Sequence, residues 1–426
     1  MTAAPYPDSY YAATAEFLAE CPALDGPARC DVCVIGGGYT GVSTALHLAE
    51  RGHEVILLEA ERLGWGASGR NGGQVNSGQR RDQDALEAMV GKDDAHRLWR
   101  MGEEAKALVR SLIGRHAIAC DLKAGVLCPD HKQRYVAQSH AYAAKLRDEY
   151  GYPHARAVSR QEMREMLGTD SYHGGWLDAD AAHLHPLNYL LGLARAARAA
   201  GVRMFEGTAV RRIGRTAPIA VETAGGTVTA DHVVLACNGY LDGIEPRVEA
   251  RIMPINNFIL ATEPLGEERA RALIRDDVAV ADSRFVINYF RQSADRRLLF
   301  GGGETYAREF PRDLKSFVRR PMLEIFPQLE RTRIDYAWGG TLAVTVNRLP
   351  YFAHLEPGIF TASGYSGQGV ALGTLAGQIM AEAIDGTMGR FDVFARIPTT
   401  AFPGGKLLRW PTMVAAMTWY ALRDRI

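Results

Sequence analysis

Residues 30–59 read CDVCVIGGGYTGVSTALHLAERGHEVILLE: an apolar run, a glycine turn, an apolar-periodic stretch, a lone glycine and a second apolar run. That succession is the pattern of one βαβ unit. The glycines of the turn are Gly36, Gly38 and Gly41, spaced G-x-G-x-x-G directly after the run 32–35 and at the opening of the periodic stretch 40–51. Gly36 permits the tight turn, Gly38 lets a pyrophosphate approach the backbone, and Gly41 lets the helix lie close on the strand. The unpaired amides at the helix start then face the pyrophosphate. Gly52 suits the residue just past the helix end. Glu59 ends the second strand, where a carboxylate accepts both ribose hydroxyls and repels a 2′-phosphate. An isolated glycine triplet also occurs in ordinary turns. Strand, helix and terminal acid in register imply a dinucleotide site.

Composition bounds the rest. The chain has 426 residues, 47% hydrophobic and 23% charged, enough for roughly two or three domain-sized cores in a globular enzyme. Lys plus Arg and Asp plus Glu are 49 each, so no global field draws the chain to nucleic acid or anionic lipid. The start, MTAAPYPDSYYAATAEF, has neither a basic nor an apolar leader region, and no run is long and apolar enough for a bilayer span. The expectation is a cytoplasmic protein. Six cysteines in this length do not make a disulfide scaffold. Cys30 and Cys33 lie on the first strand with no second pair at zinc-finger spacing, so they read as small buried hydrophobes and no metal site is expected.

Residues 1–29, rich in Pro and Tyr, read as an arm packing across the surface. After Glu59 comes AERLGWGASGRNGGQV (60–75), whose glycines imply backbone passing close to a ligand. A flexible loop is the plainer alternative. The functional reading places Ser68 near phosphate and the stretch Asn71, Gly72, Gly73, Gln74 near the redox-active end. Residues 82–150 are mostly helical in pattern. An αβ rhythm returns from His185, and the strand 231–236 ends in Cys237, Asn238 and Gly239, small groups at a strand end where open parallel sheets bind ligands. Residues 250–335 alternate as an antiparallel sheet. Near the C-terminus a strand at 358–362 leads through SGYSGQG into a helix. Its glycines, Gly364, Gly367 and Gly369, lack pyrophosphate spacing, so this helix start suits a partly negative group.

Together, GGGYTGVSTALHLAERG, EAERLGWGASGRNGGQV, VVLACNGY and GYSGQGVALG resemble the FAD-dependent oxidases of the D-amino acid oxidase and sarcosine oxidase (DAO) superfamily. SYYAATA, WGASGRNGGQ and PGGKLLRWP are most similar to its γ-glutamylputrescine oxidase branch. The resemblance implies an α/β fold with an α+β substrate part: a Rossmann-type FAD-binding domain interleaved with an antiparallel-sheet substrate domain. The implied segments are an arm (1–29), an FAD domain (30–90, 155–245 and 336–390), a substrate domain (91–154 and 246–335) and a helical tail (391–426). It extends the expected cofactor contacts to Tyr39, Thr40, Ala60, Gly66, Ala67, Val210, Tyr365, Gln368 and Val370. Some relatives attach FAD through a late Cys or a loop His. This chain has no Cys after Cys237 and carries Arg70 and Asn71 in that loop, so non-covalent FAD is expected.

Two departures shape the expected chemistry. Relatives that hold an amino acid by its carboxylate commonly place Arg four residues after the Trp of a W-x-G motif, where this chain has Leu342. Without that bidentate clamp, the expected substrate is an amine at the end of a longer chain. Sarcosine oxidase relatives carry an oxygen-assisting Lys where Ala371 stands, so the electron acceptor is oxygen or another oxidant. The expected reaction is hydride transfer from the amine-bearing carbon to flavin N5, giving an imine that water hydrolyses. Candidate catalytic residues are Gln74, Tyr289, Arg291 and Trp338. Tyr289 and Arg291 share a strand face, and Arg291 is a candidate for holding a remote carboxylate. His183 and His185 read as structural. The alternatives are an oxidase of a small N-methyl or D-amino acid and a non-catalytic flavin subunit. An NAD(P)H-driven reductase would need a second glycine-turn unit, which is absent. A monomer or homodimer is expected.

Overall fold

The computed structural model describes residues 3–305, 309–403, 411 and 414. Among them two sheets organise the chain. The first holds five parallel neighbours, Ile359–Ser363, Thr227–Leu235, Ala28–Ile35, Val55–Leu58 and Arg203–Phe205. Tyr351–Glu356 closes one side antiparallel, and Ile219–Thr223 pairs back on Thr227–Leu235 through the Gly225-Gly226 turn. Val32 to Ile35 and all of Val55–Leu58 are buried, as a strand covered on both faces requires. The second sheet runs Ile334–Val344, Met253–Thr262, Leu298–Thr305, Tyr289–Gln292, Ala279–Ala281, Lys123–Pro129, Gly175–His183 and Gln74–Val75, with Ala155–Val158 on Gly175–His183. Its pairs are antiparallel except Ala279–Ala281 on Lys123–Pro129.

The helix Tyr39–Ala49 lies on the first strand at a distance only glycine allows. A Cβ on Gly41 would sit 1.8 Å from the Gly36 carbonyl oxygen, and Gly36 itself holds φ +110°. The helix Gly369–Ile384 packs along Tyr39–Ala49, where Ser43 Oγ donates to the Thr374 carbonyl (2.7 Å).

Sheet membership departs from the expected segments in four strands, beginning with Gln74–Val75 of the expected nucleotide part, which pairs into the second sheet. Ala155–Val158 and Gly175–His183, expected in the nucleotide part, pair into the second sheet, as does Ile334–Val344. The helix Lys92–Arg115, expected with the substrate part, packs against Gly369–Ile384. Long-range pairing decides these placements, and local periodicity carries no trace of it. The arm does not merely cross the surface: its helix Tyr10–Ala13 buries Tyr10 and Tyr11 completely enough to join the main core. Gly389–Ala395 is helical, whereas most of the expected tail, including KLLRW, lies outside the described residues. Cys30 and Cys33 are buried free thiols.

His183 and His185 serve the core. His183 Nε2 donates to the Asp277 carbonyl (2.8 Å), and His185 Nδ1 accepts the Asn188 amide (3.1 Å) as N-cap of the helix Pro186–Ala199. Burial first, and the Arg291 charge second, push both imidazoles down to about 3. They are neutral in the fold, while the unfolded chain takes up protons near pH 6.5. Their contribution is complete above that pH and is lost as pH falls toward 3.

Two outcomes are expected. Gly41→Ala costs about 3 kcal/mol or more by forcing the helix off the strand, read as a large drop in melting temperature or loss of soluble protein. The melting temperature falls from about pH 7.5 to about pH 5.5, and His185→Asn, which keeps a capping acceptor, lessens that fall.

Candidate functional site

The helices Tyr39–Ala49 and Gly369–Ile384 both start without a capping side chain. Gly38 precedes Tyr39–Ala49 and Gln368 precedes Gly369–Ile384, and neither forms a side-chain cap hydrogen bond. The first-turn amides of 11- and 16-residue helices are thus open at one end of the first sheet. The Tyr39 amide alone has a side-chain acceptor, donating to Ser68 Oγ (3.0 Å). A bond between Thr40 Oγ1 and Tyr365 OH (2.6 Å) ties the two helix starts together. Val370 and Ala371 are buried in the first turn of the second helix.

Glu59 stands at the end of the second strand as its position in sequence implies. Its Oε2 accepts the Gly37 amide (2.5 Å) and its Oε1 the Glu61 amide (2.9 Å). Burial raises the carboxyl and these two amides pull it back, with a net upward shift. Each oxygen keeps lone-pair capacity for a hydroxyl. Ala60 beside it is exposed. The Thr208 amide donates to the Glu59 carbonyl (2.8 Å), which brings Val210, two residues on, near the same end of the sheet.

The loop through Gly66, Ala67 and Ser68 is held by Asn71. Its Nδ2 donates to the carbonyls of Ala67 (3.1 Å) and Ser68 (2.9 Å), and its Oδ1 accepts the Gly73 amide (2.8 Å). At the neighbouring strand end, Cys237 Sγ lies 3.4 Å from the Ile35 carbonyl, and Asn238 Oδ1 accepts the Gly364 amide (2.9 Å). Gly239 lies against Thr341 and Leu342. Gly367, at φ +99°, turns the chain into the second helix.

Two observations test whether an extended dinucleotide suits this place. Ser363 Oγ and Gln368 Oε1 are buried polar atoms with no partner among the described residues, both on the strand-to-helix connection. The two open helix starts offer amides, and Glu59 offers acceptors, in the order that pyrophosphate, ribose and a polar ring require. The residues present fit the group.

The second sheet turns one face to the 70–75 loop. Tyr289 is half-buried there, its ring wedged where a Cβ on Gly72 or Gly301 would lie 2.8 or 2.1 Å from it, and its hydroxyl donates to Asn257 Oδ1. Gln74 Nε2 donates to the Val280 carbonyl (2.9 Å). Arg291 and Trp338 differ from expectation. Arg291 is 3% exposed, and its donors go to the carbonyls of Gly72 (2.9 Å) and Gln292 (3.2 Å) and to Tyr11 OH (3.3 Å), which leaves the guanidinium spent on protein rather than open to a remote carboxylate. Trp338 is 2% exposed, donates from Nε1 to the Arg70 carbonyl (3.0 Å) and is core. Asn257 and Tyr11 were not singled out from sequence, and Arg70 only as standing where some relatives carry a flavin-linking His. Arg70 donates to the carbonyls of Trp65 (2.6 Å) and Gly339 (3.1 Å) with its guanidinium 4.2 Å from the Trp65 ring centre. No local pattern marks the contacts of Tyr11 with Arg291, Asn257 with Tyr289 or Arg70 with Gly339, which join distant segments. Leu342 is apolar beside Met253 and Ile255.

No group of three or more His, Cys, Asp or Glu among the described residues is placed to hold a metal. No described helix is long and apolar enough to cross a membrane.

Comparison with known proteins adds to this geometry. The chain is 42% identical over 425 residues to the gamma-glutamylputrescine oxidoreductase of Escherichia coli K12, covering 98% of each protein. It is 40% identical to a probable oxidoreductase OrdL of Rhizobium meliloti, covering 98% of this chain and 97% of that one. The crystal structure of glycine oxidase from Geobacillus kaustophilus superposes with a TM-score of 0.74 at 21% identity, over 87% of this chain and all of that one, which shows a shared fold. The family of FAD dependent oxidoreductases named DAO matches residues 31–383. A match of that extent, laid over two open helix starts and a ribose-ready acid, makes this chain a member of the DAO family and an FAD-dependent oxidoreductase.

Proposed function

We propose that the chain oxidises the primary amine of a γ-glutamylputrescine-like substrate, a step in putrescine breakdown. The observation that carries the reading is Leu342. An apolar side chain stands where an arginine would grip an amino acid's carboxylate, beside the similarity to a gamma-glutamylputrescine oxidoreductase over nearly the whole chain. Bound FAD supplies the hydride acceptor for the carbon that carries the amine. Loss of the hydride and an N–H proton leaves an imine, which water converts to aldehyde and ammonia.

The chain's own residues bind and orient. The starts of helices Tyr39–Ala49 and Gly369–Ile384 hold the charged and polar ends of the cofactor, with Glu59 on the ribose and Ser68 near phosphate. A phenol hydroxyl can donate and accept at once, so Tyr289, which donates to Asn257, would also take a substrate N–H on its oxygen. Such a bond orients the amine lone pair without requiring a strong base. The cofactor is held non-covalently, since the loop offers Arg70 and Asn71 as potential neighbours and no cysteine follows Cys237. Oxygen or another oxidant accepts the electrons, and Ala371 adds no cation there.

Under nitrogen and without NAD(P)H, γ-glutamylputrescine is expected to bleach the flavin far faster than sarcosine, glycine or D-alanine. Preference for the small amino acids would overturn the substrate assignment, and no bleaching by any amine would overturn the enzyme reading. Tyr289→Phe is expected to lower kcat/KM about tenfold, the size of one hydrogen bond. Acid precipitation is expected to release all the yellow colour into the supernatant.

A further inference from the structure

The N-terminal arm, opaque in sequence, is stitched to the site along its length. The Ala4 amide donates to Glu61 (2.6 Å), Tyr6 OH to the Leu63 carbonyl (2.8 Å), and Trp65 Nε1 back to the Pro5 carbonyl (3.0 Å). Further on, Thr14 Oγ1 bonds His185 Nε2 (3.1 Å) and the Glu16 amide donates to Asn188 (2.9 Å). Between these anchors the helix Tyr10–Ala13 drives Tyr11 inward to 0% exposure. Its ring meets Trp338 edge-on at 5.1 Å and His185 at 5.0 Å. Burying a phenol hydroxyl is costly unless it is bonded. Here it accepts Arg291 Nη2.

Arg291 in turn donates from Nε to the Gly72 carbonyl. That carbonyl belongs to a loop with little of its own to hold it, because Gly72 and Gly73 have no side chains. Asn71 grips the Gly73 amide from within the loop, and the Leu184 amide donates to the Gly73 carbonyl (2.9 Å). The second sheet holds the loop's far end by pairing Gln74–Val75 with Gly175–His183, and it reaches the Gly72 carbonyl through Arg291. All of its partners are neutral carbonyls or the phenol, so no carboxylate fixes its orientation.

We propose that Tyr11 is a positioning residue of the active site: its hydroxyl fixes Arg291, Arg291 holds the Gly72 carbonyl, and the arm thereby sets the 71–74 loop against Tyr289 and Asn257. The inference rests on the reading that this loop borders the redox-active end of FAD, and it gives the arm a part in the reaction geometry.

The test compares holoenzyme carrying Tyr11→Phe, Arg291→Gln or both. Amide hydrogen exchange is followed at residues 72–75, together with visible circular dichroism of the oxidised flavin, melting temperature and amine kinetics. Tyr11→Phe keeps the buried ring, so the fold and flavin content are expected to survive. Exchange at 72–75 is expected to rise about tenfold, the scale of one lost hydrogen bond. The flavin dichroism changes, and kcat falls more than KM rises. Arg291→Gln produces the same local change, and adding Tyr11→Phe to it produces no more. Exchange and dichroism left at the parental values, a rise spread evenly over the core, or additive effects of the two substitutions would each overturn the proposal. Exchange and dichroism need no substrate, so they decide it even if every amine fails to bleach the flavin, the result that would sink the proposed function instead.

Discussion

The approach of Gly41 to the Gly36 carbonyl is the constraint on which the rest depends. With no Cβ between them, helix Tyr39–Ala49 settles against the strand Ala28–Ile35 closely enough for its first amides to stand over the strand end. The helix Gly369–Ile384 then uses the first as its floor, through Ser43 on the Thr374 carbonyl and Thr40 on Tyr365. Two positive helix ends therefore converge because a single side chain is missing. Larger residues at position 41 would separate them before any ligand arrived.

That convergence explains why this end of the molecule stays polar without being self-satisfied. Some helices elsewhere are capped by side chains, as Asp82, Ser159 and His185 show, while others, such as Lys92–Arg115 and Gln133–Asp148, are not. At the starts of Tyr39–Ala49 and Gly369–Ile384 the chain supplies none. Open amides and the Ser363 and Gln368 oxygens, without partners among the described residues, cost stability that a bound anionic, polar group would restore. The protein is built as one half of a hydrogen-bonded assembly.

What could be read in the sequence was what a short window contains. The glycine spacing, the apolar runs on either side and the acid at Glu59 specify one βαβ unit locally, and the structure forms it with the two strands in parallel register. The 358–384 strand and helix were legible for the same reason. Partition between the sheets was not. Gly175–His183 and Ile334–Val344 look like ordinary strands, and their sheet is chosen by partners at Lys123–Pro129 and Met253–Thr262. The face shared by Tyr289 and Arg291 followed from alternation, yet only the fold shows that Arg291 spends its donors on Gly72 and Tyr11. Chemistry visible in a residue type does not reveal whether a distant backbone group has already claimed it.

The braided connectivity of the first sheet also bears on how the protein comes into being. Its central strand, Ala28–Ile35, pairs with Thr227–Leu235, which pairs in turn with Ile359–Ser363. A chain emerging from the ribosome must hold the apolar first strand half-paired, against Val55–Leu58 alone, until about two hundred residues have followed. Parallel pairings at such separation form slowly, and the unpaired edge invites association with other chains. Until Thr227–Leu235 arrives that edge is the exposed part of the nascent chain, and the second open helix start, at Gly369, is made only late in synthesis.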